Sequence, residues 1–322
     1  MTMITDEGMP LEIEESKLVC PDVCAWPNMQ RFPDGRLVVT FGNTPGHAIT
    51  ESGVDIMFSS DDGITWGGRR TVFSPEPGQC RGNSAFYVGD DMMLILCGGW
   101  VLPRVRCLTP ATLILSGKDL EKSDFRLETK GLFPLAWVPF GNIYRAGDGS
   151  LRAAIYLNLN GLTETFMMRS ADNGESWRVH GRIAERCNET AILPLEDGHW
   201  LAAVRTEPMG ILQYESKDDG LTWNYVQQLT LRRQVTGHLM QLKDGRILLS
   251  NGNRNQGHFG VDVRLSEDGG KLWGEPVRLV ETPHSDCGYP TTIECADGSL
   301  LTLYYTKTAT SYEMRSVRFR IK

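Results

Sequence analysis

Apolar and polar positions alternate along most of the chain in short runs, and few of these runs hold a helical period. The clearest unit is a pair of extended apolar runs separated by an Asp-Gly-type turn. It appears as NMQRFPDGRLVVTF (28–41), SAFYVGDDMMLILCGG (84–99) and NIYRAGDGSLRAAIYL (142–157). It returns as TAILPLEDGHWLAAVR (190–205), HLMQLKDGRILLSNGN (238–253) and TTIECADGSLLTLYY (291–305). Each predicts a β-hairpin, because Asp and Gly supply the backbone conformations a tight turn needs. The turns recur about every fifty residues, and a fixed period of this kind marks a repeat architecture.

Between hairpins lie two more strand-like runs, such as VDIMFSS then RRTVFS, or VDVRLSE then EPVRLVE. Four of these joints obey one pattern, S-x-D-x-G-x-x-W: SSDDGITW (59–66), SADNGESW (170–177), SKDDGLTW (216–223) and SEDGGKLW (266–273). The chemistry of the first is legible. Asp61 can accept N–H bonds from residues that follow it, Gly63 tolerates positive φ, and Trp66 offers a large apolar anchor. A worn version, SGKDLEKSDF (116–125), sets Phe125 where Trp would stand.

Six such four-stranded units predict an all-β chain folded as a six-bladed β-propeller. A β-sandwich does not account for a long repeat carrying one turn motif at a fixed place. The last unit, ending YEMRSVRFRIK, lacks a final strand, and LEIEESKLV (11–19) can supply it by pairing with that end.

Composition narrows the partners. The chain has 322 residues, 41% of them apolar, and a net charge of −7 with the signs well mixed. There is no basic stripe for nucleic acid or anionic membrane and no apolar run of spanning length. Eight cysteines at 20, 24, 80, 97, 107, 187, 287 and 295 fall mostly in or beside apolar runs and form no paired knuckles. They read as buried thiols and favour a reducing, cytoplasmic setting, with secretion open if a signal was removed.

The opening MTMITDEGMP has no signal-peptide pattern. MTMIT resembles the leader of the β-galactosidase fragment in common cloning vectors, so residues 1–10 are read as a tail and 11–322 as one domain. The histidines are dispersed, and there is no HExxH, EF-hand loop, GxGxxG after a strand or P-loop, so no metal or nucleotide cofactor is implied. Homo-oligomerisation is left open.

The S-x-D-x-G-x-x-W turns resemble the Asp boxes, or BNR repeats, of the sialidase (neuraminidase) superfamily, across roughly 11–322. That likeness implies a six-bladed β-propeller with Asp-box turns and a glycosidase site. Members of that superfamily hold a substrate carboxylate with three arginines. A tyrosine assisted by a glutamate attacks the anomeric carbon, and a first-blade aspartate serves as acid/base. CNETAILPLEDGHWLAAVR resembles the segment carrying the glutamate and second arginine, which maps Glu189 and Arg205. CGYPTTIECADGSLLTLYY maps Tyr289 as nucleophile, and NGNRNQGHFGVDVRLSEDGG maps Arg254 as the third arginine, with Arg264 a strand residue.

The first blade departs from this pattern. Ala25-Trp26-Pro27 stands where the superfamily has Arg-Ile-Pro. The loop GNTPGHAITESGVD has no Asp and offers His47, with Glu51 nearby. Loss of one of three charged partners costs about 1.5–3 kcal/mol of carboxylate binding. The expected substrate therefore shifts towards uronic acids or neutral sugars.

The residues support a sugar site without the resemblance. In a propeller the residues leading into the inner strands converge on one funnel, and here they are Trp26, Arg81 with Asn83, Asn142, Glu189, His238 and Tyr289. Ionisable and aromatic groups together suit a carbohydrate, which needs stacking surface and placed polar contacts. Tyr289 with Glu189 as base and His47 as proton donor forms the catalytic set. Arg205, Arg254, Arg81, His238 and Trp26 form the substrate-binding set, and Asp286 is a weaker candidate. The function expected is an exo-acting glycoside hydrolase on a sialic acid or another acidic terminal sugar. The alternatives are a lyase on uronic-acid glycans and a non-catalytic glycan-binding propeller.

Overall fold

The computed structural model describes residues 10–23, 26–47, 51–89, 92–102, 106–116, 126–128, 136–159 and 162–322. Among these residues every regular element is a β-strand, and no helix is long and apolar enough to cross a membrane. The Phe125 turn of the second unit falls outside the described residues.

Three antiparallel sheets are self-contained four-stranded meanders. One runs Asn28–Arg31, Leu37–Gly42, Val54–Ser59, Gly67–Phe73. Another runs Thr190–Pro194, Trp200–Thr206, Gly210–Ser216, Asn224–Gln228. The third runs Gln234–Gln241, Ile247–Asn253, Gly260–Ser266, Val277–Glu281. A nine-stranded sheet joins two more meanders, led by Gln79–Val88 and Val138–Arg145. The link is a two-pair parallel ladder, Gly141 with Ala85 and Asn142 with Phe86. The last sheet contains Cys287–Glu294, Leu300–Lys307 and Tyr312–Ile321. Leu11–Ile13 and Lys17–Pro21 pair antiparallel with its outer strand, so the start of the chain completes the sheet that the end leaves short.

The leading strands of successive meanders are neighbours in chain order, and Cys287–Glu294 lies against Asn28–Arg31. Burial is greatest in the middle strands of each meander and least in the fourth. The second strands Leu37–Gly42 and Ile247–Asn253 are wholly buried, whereas Gly67–Phe73 and Asn224–Gln228 are largely exposed. The core is divided into layers between facing sheets. Val38, Val54 and Ile56 of one sheet, for example, pack on Phe86, Met93 and Ile95 of the next. Removing such side chains from water is the main drive for stacking the sheets.

The four S-x-D-x-G-x-x-W turns join the third and fourth strands of their meanders and share one hydrogen-bond plan. In the first, Ser59 Oγ donates to Asp61 Oδ1 at 2.8 Å and accepts from Gly63 N–H at 2.8 Å, and Thr65 N–H donates to Asp61 Oδ1 at 2.9 Å. The same three bonds recur at Ser170/Asp172, Ser216/Asp218 and Ser266/Asp268. Gly63 has φ +83° and Gly174 has φ +91°, and each packs so close to a leucine of the neighbouring meander that an added Cβ would force that side chain to shift. The glycine therefore both shapes the turn and permits the sheets to approach.

The thiols sit as their apolar surroundings suggest. Cys20, Cys80, Cys97, Cys187, Cys287 and Cys295 are buried and Cys107 is half-buried, all without disulfides among the described residues.

Candidate active site

Backbone irregularities at the heads of the inner strands turn side chains towards the centre. Tyr289 has φ +48°, and the ladder slips between Gly288 and Thr291. Thr236 has φ +66° beside a slip between Val235 and Gly237, and Trp26 has φ +71° just before its strand. Positive φ at bulky residues is strained, and a bulge re-aims the side chain it carries.

Glu189 and Arg205 close the open end of one hairpin. Arg205 N–H donates to the Glu189 carbonyl at 3.1 Å, which sets their side chains on one face. There Arg205 Nη1 bonds Glu189 Oε2, and its Nη2 reaches Glu207 Oε1 at 2.8 Å. Tyr289, from the last sheet, donates its hydroxyl to Glu189 Oε1 at 2.5 Å and lies 3.3 Å from Arg205 Nη1. Tyr289 and Glu189 are only 4% and 5% exposed. Burial would raise the Glu189 carboxyl, but Arg205 and the Tyr289 bond reverse this and hold it below its usual range. Burial and the Glu189 charge push Tyr289 up to about 12. The pair is therefore a phenol donating to a carboxylate, an arrangement in which the carboxylate can take the phenol's proton.

Arg254 stands over the other face of the tyrosine, its guanidinium 5.5 Å from the ring centre. Its Nη2 donates to Tyr305 Oη at 3.0 Å and its Nε to the Cys287 carbonyl at 3.1 Å. No carboxylate among the described residues pairs with it, whereas Arg205 is already paired with two. Arg254 is thus the cation left available at the site.

His47 joins through a second network. Its Nδ1 lies 2.6 Å from Asp286 Oδ1 and 3.0 Å from Tyr305 Oη. Tyr305 also donates to Asp286 Oδ1, and Tyr312 donates to Oδ2 at 2.8 Å. Burial pushes the Asp286 carboxyl up, but His47 and the two tyrosines more than reverse it, holding it well below the usual carboxylate range. A carboxylate only accepts, so Nδ1–H of His47 is committed to Asp286. The His47 ring lies 5.7 Å from Tyr289 and 5.4 Å from Trp26, both edge-on.

Glu51, the carboxylate near His47 in sequence, is elsewhere: it accepts Gly78 N–H at 2.7 Å. Arg81, expected in the substrate-binding set, is bonded to its own surroundings rather than to the Tyr289 cluster. Its Nε donates to Gln79 Oε1 at 2.9 Å and its Nη1 to the Thr109 carbonyl at 2.8 Å. Arg264 is a strand residue bonded to the Gly274 carbonyl at 3.3 Å. Trp26 and His238 lie beneath Tyr289 and line a cavity of about 30 Å³ with Asn28, Phe140 and Pro290. Trp26 Nε1 and Asn28 Oδ1 have no protein partner there, and the space suits one water. His238 is buried, which lowers it to about 4, so it is a neutral floor residue. The Asn83 side chain and Ala25 lie outside the described residues.

Sequence reasoning passed over Glu207, Tyr305 and Tyr312 and gave Asp286 little weight. Glu207 had only a weak signal, since it follows directly on the strand Trp200–Thr206 that carries Arg205. The tyrosines had none, because YY in an apolar run reads as core.

A buried glutamate bonded to a phenol and a guanidinium, beside a half-buried aspartate bonded to an imidazole, sits where antiparallel sheets meet in a sialidase-like β fold. The chain belongs to the BNR repeat-like domain family, whose model matches residues 54–302, within the sialidase/BNR superfamily. Three solved structures illustrate the fold. A Dyadobacter fermentans protein of unknown function is 17% identical, with 97% of this chain and 99% of that one covered and a TM-score of 0.82. A Trypanosoma rangeli sialidase in complex with the inhibitor DANA is 18% identical over 94% of this chain and 55% of its own, with a TM-score of 0.74. A Hadza microbial sialidase is 17% identical over 94% and 67%, with a TM-score of 0.74. This chain thus spans little more than half of the trypanosomal enzyme, and likeness at these identities shows the fold alone. No curated protein matches the sequence.

Proposed function

We propose that residues 11–322 form one six-bladed β-propeller and that the protein is an exo-acting glycoside hydrolase of the sialidase superfamily, cleaving a terminal acidic sugar. The observation that carries this reading is the buried Tyr289–Glu189 bond of 2.5 Å beside Arg205. Tyr289 Oη attacks the anomeric carbon and passes its proton to Glu189. Arg205 keeps Glu189 ionised and oriented until then. Arg254 takes the sugar carboxylate and steadies negative charge growing on Tyr289. His47, with Nδ1 committed to Asp286, gives its Nε2 proton to the departing oxygen as the glycosidic bond breaks; Nε2 then takes a proton from the water that displaces Tyr289 from the anomeric carbon, and Glu189 returns its proton to the tyrosine oxygen. Asp286 positions His47. A tyrosine nucleophile is a known variant of glycosidase chemistry. The trypanosomal and Hadza structures that share the fold are both of sialidases.

The test is a panel of aryl glycosides, acidic and neutral, with wild type and Tyr289→Phe side by side. An acidic glycoside should be cleaved, and Tyr289→Phe should lose about a thousandfold or more in rate while melting at a similar temperature. Equal rates would remove Tyr289 from the mechanism. Release from neutral glycosides alone would overturn the role of Arg254. Ultraviolet absorbance of an unsaturated product would mark a lyase.

A further inference from the structure

A recess of about 220 Å³ opens beside the Tyr289 cluster, walled by Arg205, Glu207, Arg232, Arg233, Val235 and Arg254. Four guanidinium groups meet one carboxylate there. Glu207 is already bonded to Arg205, as is Glu189 from behind. Arg232 and Arg233 are exposed, and no carboxylate among the described residues lies within ion-pair distance of either.

The wall is built rather than loose. Gln234 N–H donates to the Leu231 carbonyl at 3.0 Å, and Leu231 N–H donates to Gln234 Oε1 at 2.9 Å. This turn holds Arg233 at φ +65°, a strained conformation for a side chain of its size. Arg233 Nε donates to the Arg254 carbonyl at 2.9 Å, and Arg254 N–H returns to the Arg233 carbonyl at 2.9 Å. Asn255 Nδ2 bonds the Arg232 carbonyl at 3.1 Å. The turn of one sheet is therefore latched to the loop of the next, and the latch fixes the arginine pair beside Arg254. Cations held together without a counter-charge repel, and a multivalent oxyanion relieves that repulsion with charge-assisted bonds.

We infer that this recess is a subsite for a second anionic group, a sulfate ester or carboxylate on the sugar unit next to the one held at Tyr289, with Arg232 and Arg233 as its ligands. The assignment rests on the carbohydrate site proposed above and extends it to multiply charged, acidic or sulfated glycans. A single arginine at Arg254 explains one negative charge; the flanking pair calls for another.

Calorimetric titration at low ionic strength tests it, with glucose 6-sulfate, glucuronate and uncharged glucose as probes. The full chain should bind one or both charged sugars and not glucose. Arg232→Ala should weaken that binding at least fivefold, and because its side chain makes no hydrogen bond here, the melting temperature should stay near that of the wild type. Arg233→Lys should keep part of the affinity. A smaller change in Arg232→Ala, equal affinity for glucose, or no detectable binding of either charged sugar would overturn the subsite. Titrating Tyr289→Phe in parallel separates the two claims. Charge-selective, Arg232-dependent binding without any turnover would sink the hydrolase and leave the subsite. Tyr289-dependent turnover with no Arg232 effect would do the reverse.

Discussion

His238 offers a sharp energetic test of the packed centre. It is 7% exposed, its Nδ1 accepts Thr292 N–H at 3.4 Å, and its Nε2 lies 3.5 Å from Asn142 Nδ2. Burial lowers it from 6.5 to about 4. In the unfolded chain the imidazole protonates as pH falls through about 6.5, but in the folded protein only near 4. Between these values the unfolded state binds more protons, so stability rises with pH. The contribution is present above about pH 6.5 and is lost as pH falls to about 4. A difference of roughly 2.5 units at about 1.36 kcal/mol each gives about 3 kcal/mol, a large share of a typical folding free energy. The assay is urea unfolding of wild type and His238→Gln at about pH 7, 5.5 and 4. Glutamine can still accept the Thr292 bond, and carboxylates common to both proteins cancel in the difference. The wild type should lose about 3 kcal/mol relative to the variant across that span. Parallel stability curves would refute the claim that the inner strands hold His238 away from water.

Three other outcomes follow from the site and the turns. Glu189→Gln leaves the Arg205 charge with Glu207 alone and should cost about 3–5 kcal/mol in unfolding free energy, and it should cut turnover by about 10²–10⁴; unchanged kinetics would count against Glu189 as base. Asp286→Asn should lower kcat more than it raises KM, since Asp286 orients His47 rather than touching sugar. Because Asp286 is depressed in the fold, its stabilisation is present above its unfolded value near 4 and fades as pH falls through the depressed one, so the variant's acid-unfolding curve should be shallower. Gly174→Ala would set a Cβ 1.8 Å from Leu94 Cδ1 at φ +91° and should cost about 2–4 kcal/mol. Gly149→Ala has the same φ problem, with nothing within 4 Å, and should cost only about 1–2 kcal/mol in the same melts. Equal losses would mean that the turns do not control the approach of the sheets.

Much of the fold was legible along the chain because its signals are local. Strand periodicity, the Asp-Gly turns and the S-x-D-x-G-x-x-W joints each act over fewer than about ten residues, and their order alone implied a missing outer strand that Leu11–Ile13 and Lys17–Pro21 fill. The pairing of Glu189 with Arg205 was also open to reading, since hairpin register sets them opposite each other. The bonds of Arg81 to Gln79 and Thr109 were not legible in the same way, since nothing in its position at the head of an inner strand sets it apart from the others.

The sequence by itself therefore determined the strands, their turns, the apolar faces that stack them and the residue types available to a site. Only the tertiary structure decided which of those residues meet. Tyr289 and Glu189 are a hundred residues apart, and His47 finds Asp286 across 239. Such distances carry no local pattern. They close only when every sheet has packed on its neighbour, because burial between sheets supplies the free energy that brings charged and phenolic groups together out of water.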